Sequence, residues 1–217
     1  MVYKIKQPEV IQKFVSDSSY FGIDPGVNGA IVCYTPSSKK LEFFDMPTNQ
    51  RKVGKFIRNE VDCDELVKIF KNFRNISYAF IEQVQPYPNR GMANTFNFVV
   101  CYGVIIGILA ARSIPIKKVP SRIWKSEIGL KTKKIKKKEF TTELSLKNHI
   151  KNKAKLYSLN KDIARNRASK EFPDYKDYFK RKKDDGRAEA ALIAFTRFSL
   201  NFFDIPDGAS SCTFRLF

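Results

Sequence analysis

The 217-residue chain is expected to fold as one α/β domain. Short apolar runs ending at turn residues alternate with segments of helical period, and one central segment is apolar over enough length to be a buried helix. No internal repeat divides the chain, and its length suits about one domain.

Tyr20–Asp24 reads as a short buried strand ending at a carboxylate, followed by the turn Pro25-Gly-Val-Asn-Gly29. Residues 30–34 and 41–44 are two further strands joined through Pro36-Ser-Ser-Lys39, so the chain opens with three antiparallel strands. Between Asp62 and Phe73, Leu66, Val67, Ile69, Phe70 and Phe73 recur at helical spacing and mark a surface helix. Residues 78–82 form another strand, again closed by an acid, Glu82. After the loop carrying Pro86 and Pro88, residues 94–112 are nearly all apolar and predict a central buried helix. Gly103 and Gly107 stand four apart on it and suggest tight packing on the sheet or another helix, with a contact between two copies as the alternative. Residues 116–119 are a short strand stopped by Pro120, residues 161–170 a polar helix, and Asp184-Asp185-Gly-Arg-Ala-Glu189 opens a final helix with apolar residues through Phe198.

Lys and Arg number 40 against 22 Asp and Glu, a formal net charge of +18. An excess of that size points to a polyanionic partner. It is uneven: residues 1–50 are neutral, whereas residues 101–150 carry +9. Residues 131–155 hold ten lysines against Glu139 and Glu143. A surface built only for solubility alternates its signs, so this insert reads as a phosphate-binding arm, with a solvated loop as the bland alternative. The longest apolar run, residues 98–111, is shorter than the ~20 residues a membrane span needs. Cys33, Cys63, Cys101 and Cys212 lie far apart, and His149 is the single histidine, which argues against a structural zinc site. With no signal peptide or transit peptide in evidence at the start, an intracellular, reducing compartment is expected.

Four acids form the candidate site. Asp24 and Glu82 end strands, and Asp185 and Glu189 are four apart on one helix face. Carboxylates gathered in one place repel unless cations lie between them, and hard oxygen ligands suit Mg²⁺ or Mn²⁺. A pair of such ions activates water and stabilises the leaving oxygen in phosphodiester hydrolysis. Taken singly, each acid has a plainer reading: Asp24 as a turn former, Asp185 as an N-cap, Glu82 as the partner of a neighbouring lysine.

Four segments together resemble the RuvC-type Holliday junction resolvases of the RNase H-like superfamily, in particular the branch of bacteriophages and plant chloroplasts. They are Phe21-Gly-Ile-Asp-Pro-Gly26 with Asn28-Gly-Ala30, Ile81-Glu-Gln-Val84, Val119-Pro-Ser-Arg-Ile-Trp-Lys125, and Asp184-Asp-Gly-Arg-Ala-Glu-Ala190 with Ala191-Leu-Ile-Ala194. The four-residue spacing of the last two acids is that of the phage and chloroplast branch; bacterial members space them three apart. The resemblance implies an RNase H-like mixed five-stranded sheet flanked by helices. It places the metal-binding acids at Asp24, Glu82, Asp185 and Glu189, with Asp184 as the alternative to Asp185, and two Mg²⁺ per active site, Mn²⁺ substituting. Lys161, before Phe172-Pro173, matches a lysine-containing run of that branch and is a further catalytic candidate, the alternative being an ordinary surface lysine. Bacterial members carry an aromatic just after the Glu-Gln-Val segment; here Gln85 stands there and Tyr87 follows, either to stack on a base or to pack between prolines. Arg122, Lys125, Lys133, Lys134, Lys136, Lys137 and Lys138 complete the expected DNA-binding set.

The expected organisation is an N-terminal extension over residues 1–19, a nuclease domain over 20–202 with the basic insert at 131–155, and a tail over 203–217. The expected activity is symmetric nicking of four-way DNA junctions by a homodimer, without a membrane partner. Another RNase H-like nuclease, acting on RNA–DNA hybrids or branched and flap DNA, and a junction-binding module without catalysis remain as alternatives. An actin-like ATPase, which Asp24-Pro-Gly alone would also allow, needs a second related half that 217 residues without a repeat cannot supply.

Overall fold

A computed structural model of the chain describes residues 18–83, 92–130 and 143–199. Its strands are β1 (Ser19–Asp24), β2 (Ala30–Thr35), β3 (Lys40–Asp45), β4 (Thr48–Val53), β5 (Phe56–Val61), β6 (Ile76–Gln83) and β7 (Ile116–Pro120). Its α-helices are α1 (Cys63–Lys71), α2 (Met92–Ala111), α3 (Ser121–Glu127), α4 (Glu143–Glu171) and α5 (Asp185–Ser199), with 3-10 turns at Pro173–Phe179 and Lys182–Asp184.

Five strands form one sheet in the order β3-β2-β1-β6-β7. The first three are antiparallel neighbours, while β6 and β7 run parallel to β1. This is a mixed five-stranded sheet flanked by helices, as expected from the sequence. Alternation along the strands divides the core into two layers. Phe21, Ile23, Ile31, Cys33, Ala79 and Ile81 face α1 and α2, where Leu66, Phe70, Cys101, Ile105 and Leu109 cover them. The opposite face, with Ala30, Val32, Tyr34 and Phe80, packs against Trp124 of α3, Ala164 and Ala168 of α4, and the alanines of α5.

The same alternation sets the direction of the acids. Asp24 lies one residue past Ile23 and Glu82 one past Ile81, so both turn to the α5 side. Gly22 lets α5 reach that face: a Cβ added there would lie 2.0 Å from the Ala190 carbonyl oxygen and 2.6 Å from the Ala194 nitrogen. Helix α1 is specified locally. The Asp62 side chain accepts from the Glu65 amide at 3.0 Å, acids occupy the first turn and Lys68 and Lys71 the last.

The structure departs from the sequence reading in several places. Helix α2, expected to be buried, buries Cys101, Ile105 and Leu109 but leaves Phe96, Val99 and Val100 exposed on its other side. The expected polar helix over 161–170 is the end of the 29-residue α4, which also takes up the insert from Glu143 onward, so that part is helix rather than a loop. Polar residues on nearly every side of α4 hide its period, and only Ile163, Ala164 and Ala168 mark the packed face. A two-stranded hairpin, β4–β5, occupies residues between the third strand and α1 that carry no apolar face. On α2, a Cβ added at Gly103 or Gly107 meets nothing within 4 Å, so neither glycine marks a close backbone contact within the described chain.

Gly22→Val is expected to destabilise the fold by about 3 kcal/mol or more, because its side chain has no room between β1 and α5. Denaturant unfolding checks this; a midpoint equal to wild type would mean that α5 does not need the bare strand.

Candidate carboxylate centre

Ligand oxygens of Asp24, Glu82 and Glu189 all lie within 4.8 Å of one another. Asp24 comes from the end of β1, Glu82 from the adjacent parallel strand β6, and Glu189 from the second turn of α5. Among the described residues this is the one group of three or more acids, cysteines or histidines close enough to share an ion. Asp185, the first residue of α5, joins its edge and forms an ion pair with Lys161.

Two lysines enter the cluster. Lys125 Nζ is 2.9 Å from Glu189 Oε1 and 4.0 Å from Glu82 Oε1, and it lies 4.8 Å from the Trp124 ring centroid. Glu82 Oε1 also accepts a hydrogen bond of 3.0 Å from Trp124 Nε1. These contacts follow from the chain path. Glu82 is the register partner of Val119 on β7, Pro120 ends that strand, and α3 starts at once with Trp124 and Lys125 one turn in. Lys161 reaches Asp185 from α4 and lies 4.8 Å from the Tyr157 ring centroid.

The crowding is visible in the proton affinities. Burial, then the charges of Glu189 and Glu82, hold the Asp24 carboxyl well above the ordinary aspartate value. Burial also raises Glu189, against the pull of Lys125. Burial disfavours the Lys125 ammonium, yet Glu189 and Glu82 outweigh it and its pKa is raised. Lys161 is raised in the same way, its hydrogen bond to Asp185 overcoming its burial. At 4.8 Å and an effective dielectric of about 20, two like unit charges repel by roughly 3.5 kcal/mol.

With all four carboxylates ionised, as cation binding requires, the two ammonium groups leave a formal charge of −2 among the protein groups. The donor set is all oxygen, closely spaced and held on rigid elements, which fits a hard divalent cation such as Mg²⁺. Asp24, Glu82 and Glu189 are the residues that would hold it, with Asp185 beside them.

The expected site residues fall into three groups. Asp24, Glu82, Asp185, Glu189 and Lys161 are brought to one place. Lys125, expected on DNA, stands inside the carboxylate cluster, and Arg122 is exposed on α3. Tyr87, Lys133, Lys134, Lys136, Lys137 and Lys138 lie outside the described residues. Asp184 is turned away and buried. It accepts from the Arg181 backbone amide at 2.8 Å and pairs with the Arg181 guanidinium at 2.9 Å. These bonds outweigh its burial and hold it below the usual carboxylate range. The plain alternative for Glu82 is met as well, since it does neighbour a lysine, Lys125. Sequence reasoning missed the Trp124 contact; the only signal was the Trp-Lys pair directly after a strand end. Cys33 and Cys101 are ordinary buried thiols, pushed up to about 12 and about 11 by burial.

No protein-family model matches the chain, and no curated protein matches it. Among solved structures, it is similar to Thermus thermophilus RuvC in complex with a Holliday junction substrate, at 11% identity and a TM-score of 0.44 over 83% of this chain and 92% of that one. It is similar also to the Thermus thermophilus RuvC structure, at 10% identity and a TM-score of 0.43 over 83% of this chain and 93% of that one. The strand order and the carboxylate geometry stand independently of that likeness. Among the described residues no helix is long and apolar enough to cross a membrane.

Because the folded pKa of Asp24 exceeds its unfolded value, the folded state binds that proton more tightly; the stability this contributes is present at low pH and lost as pH rises through the folded pKa. Without divalent cations, Asp24→Asn is therefore expected to melt above wild type near neutral pH, the gap closing as pH falls towards ~4. Melting curves over that range in chelator test this, and a variant that melts below wild type at neutral pH would show that the carboxylate is fully compensated.

Proposed function

We propose that this protein is a structure-selective endodeoxyribonuclease that resolves four-way DNA junctions by paired symmetric nicks, working as a homodimer with divalent cations. The convergence of Asp24, Glu82 and Glu189 within 4.8 Å carries the nuclease reading. The net charge of +18 supports a polyanionic substrate, and the four-segment resemblance supports a junction as that substrate. When bound, Mg²⁺ supplies Lewis-acid activation of water and charge stabilisation at the scissile phosphate.

The chain's own residues divide the remaining work. Asp24, Glu82 and Glu189 form an acidic floor that fixes where cations and phosphate meet. Asp185, rather than Asp184, is the fourth acid, because Asp184 is consumed by Arg181. Lys161 lies at the edge of the cluster and is placed to neutralise charge developing on the phosphate. Lys125 holds Glu82 and Glu189 in position when no divalent ion is present.

Helix α2 supports the homodimer. Phe96, Val99 and Val100 are 66%, 55% and 39% exposed on it, and a Cβ at Gly103 or Gly107 would meet nothing within 4 Å. A face of large apolar residues beside two glycines suits a second copy, and two-fold symmetry matches two symmetric cuts. Val100→Glu is expected to yield a monomer by light scattering that nicks one strand at a time; an unchanged dimer would locate the interface elsewhere.

The deciding assay gives the protein a four-way junction, a linear duplex and an RNA–DNA hybrid, each with Mg²⁺ or chelator. Paired nicks in the junction alone are expected, with Asp24→Asn and Glu82→Gln reducing the rate at least ~10³-fold while junction binding persists. Mg²⁺ should also raise the melting temperature of wild type but not of Asp24→Asn. Cleavage of the hybrid would make it an RNase H-type enzyme, and binding without any cut a binding module.

A further inference from the structure

The hairpin β4–β5 stands apart from the five-stranded sheet and has no core of its own. It is a ribbon of two six-residue strands closed by Gly54-Lys55, with Val53 and Phe56 as the last pair. Gly54 takes φ +60 at the first central position, as a tight hairpin turn requires. At ~3.4 Å per residue the ribbon is roughly 17 Å long. An isolated two-stranded hairpin is marginal in water, so its sequence invites a reason.

That sequence is basic on both faces. Arg51 and Arg58 are direct cross-strand partners, an arrangement of like charges that destabilises a ribbon. Arg51 is relieved by Glu60 at 3.2 Å. Among the described residues no carboxylate is paired with Lys52, Lys55 or Arg58. At the tip, Phe56 and Ile57 are each 69% exposed, the most exposed large apolar side chains described. Cations and bare apolar groups together are poorly suited to a solvated face and well suited to a nucleic-acid backbone.

The root of the ribbon adjoins the carboxylate end of the sheet. Asp45 pairs with Ala30, and Ala30 with Asp24, so β3 ends one strand away from the first acid, at the same end of the sheet. The Met46 amide then donates to the Gly29 carbonyl oxygen at 3.1 Å, and the chain returns with the Asp62 amide donating to Pro47 O at 2.9 Å. Asn97 of α2 donates to Asn59 O at 3.4 Å and steadies β5.

We infer that the β4–β5 hairpin is a DNA-binding arm that grips the phosphate backbone of a duplex through Lys52, Lys55 and Arg58, with Phe56 and Ile57 against the sugars. The inference rests on the nuclease reading for the placement of DNA at the carboxylate edge. It adds a subsite built from residues outside that centre. A two-stranded ribbon has the width that a DNA groove admits, and guanidinium forks match phosphate oxygens.

The test is binding of a labelled duplex and a labelled four-way junction in chelator over a salt series, with cutting measured separately in Mg²⁺. Lys52→Ala/Lys55→Ala/Arg58→Ala should weaken binding at least ~10-fold at moderate salt and lower the salt slope by about 2.7. Lys52→Arg/Arg58→Lys, which keeps the charge, should restore the slope, and Phe56→Ser should weaken binding with the slope unchanged. Wild type that binds and cuts, beside a triple variant with the same affinity and slope, would overturn the arm and leave the nuclease reading standing. Loss of binding in the variant of a protein that cuts no DNA would keep the arm and remove the nuclease. A variant that loses affinity only because it turns monomeric would make the ribbon a contact between copies and overturn the proposal.

Discussion

The close contact between α5 and β1 is the constraint on which the site depends. Ala188, Ala190, Ala191 and Ala194 are fully buried on the helix, and Gly22 presents no side chain from the strand. Small residues on both partners let the helix lie nearly on the backbone of the sheet. The N-terminal turn of α5 is held just as closely, since a Cβ on Gly186 would fall 2.8 Å from the Asn28 carbonyl oxygen. A larger residue at either contact would lift the helix and separate Glu189 from Asp24. Packing thus forces together charges that would otherwise move apart, and the raised proton affinity of Asp24 is the cost recorded in the fold.

That cost is limited by an arrangement of cations drawn from outside α5. Lys125 arrives on α3, Lys161 on α4, and Arg181 takes Asp184 out of the cluster altogether. Each pairing also fixes an orientation. The Trp124 indole and Lys125 together hold Glu82, while Lys125 alone bridges to Glu189. Arg187 binds Asp45 through both of its oxygens at 2.6 Å and so ties the first turn of α5 to the end of β3. The acids are therefore oriented before any divalent ion arrives, and little side-chain reorganisation remains.

Much of this was legible in the sequence where apolar period and chemistry coincided. The strands ending at Asp24 and Glu82 announced themselves as hydrophobic runs closed by an acid, and the spacing of Asp185 and Glu189 required a common helix face. The choice between Asp184 and Asp185 was not legible, because it depends on whether Arg181 folds back onto the helix start, a tertiary fact. Lys125 looked like one more basic residue in a basic chain; only the turn at Pro120 shows that it points inward. The hairpin at residues 48–61 escaped because strand recognition relies on an apolar face, and its two mostly exposed strands carry no continuous apolar stripe. Helix α4 escaped for the corresponding reason, its packed stripe being little more than Ile163, Ala164 and Ala168.

The distribution of charge joins the two parts of the molecule. Without divalent cations, a phosphodiester brought to these carboxylates is repelled, so the acids cannot themselves provide the affinity for the backbone. Lys125 and Lys161 add little net affinity before reaction, because each is paired with a carboxylate within the site. Affinity has to come from cations without such partners, and they have to lie close enough to hold the backbone while the acids face it. The net charge of +18 supplies the number, and the ribbon rooted beside Gly29 and Asp45 supplies a position. Separating a cation-rich grip from an acid-rich floor lets phosphate binding tighten without quenching the carboxylates, which a single mixed patch would not allow.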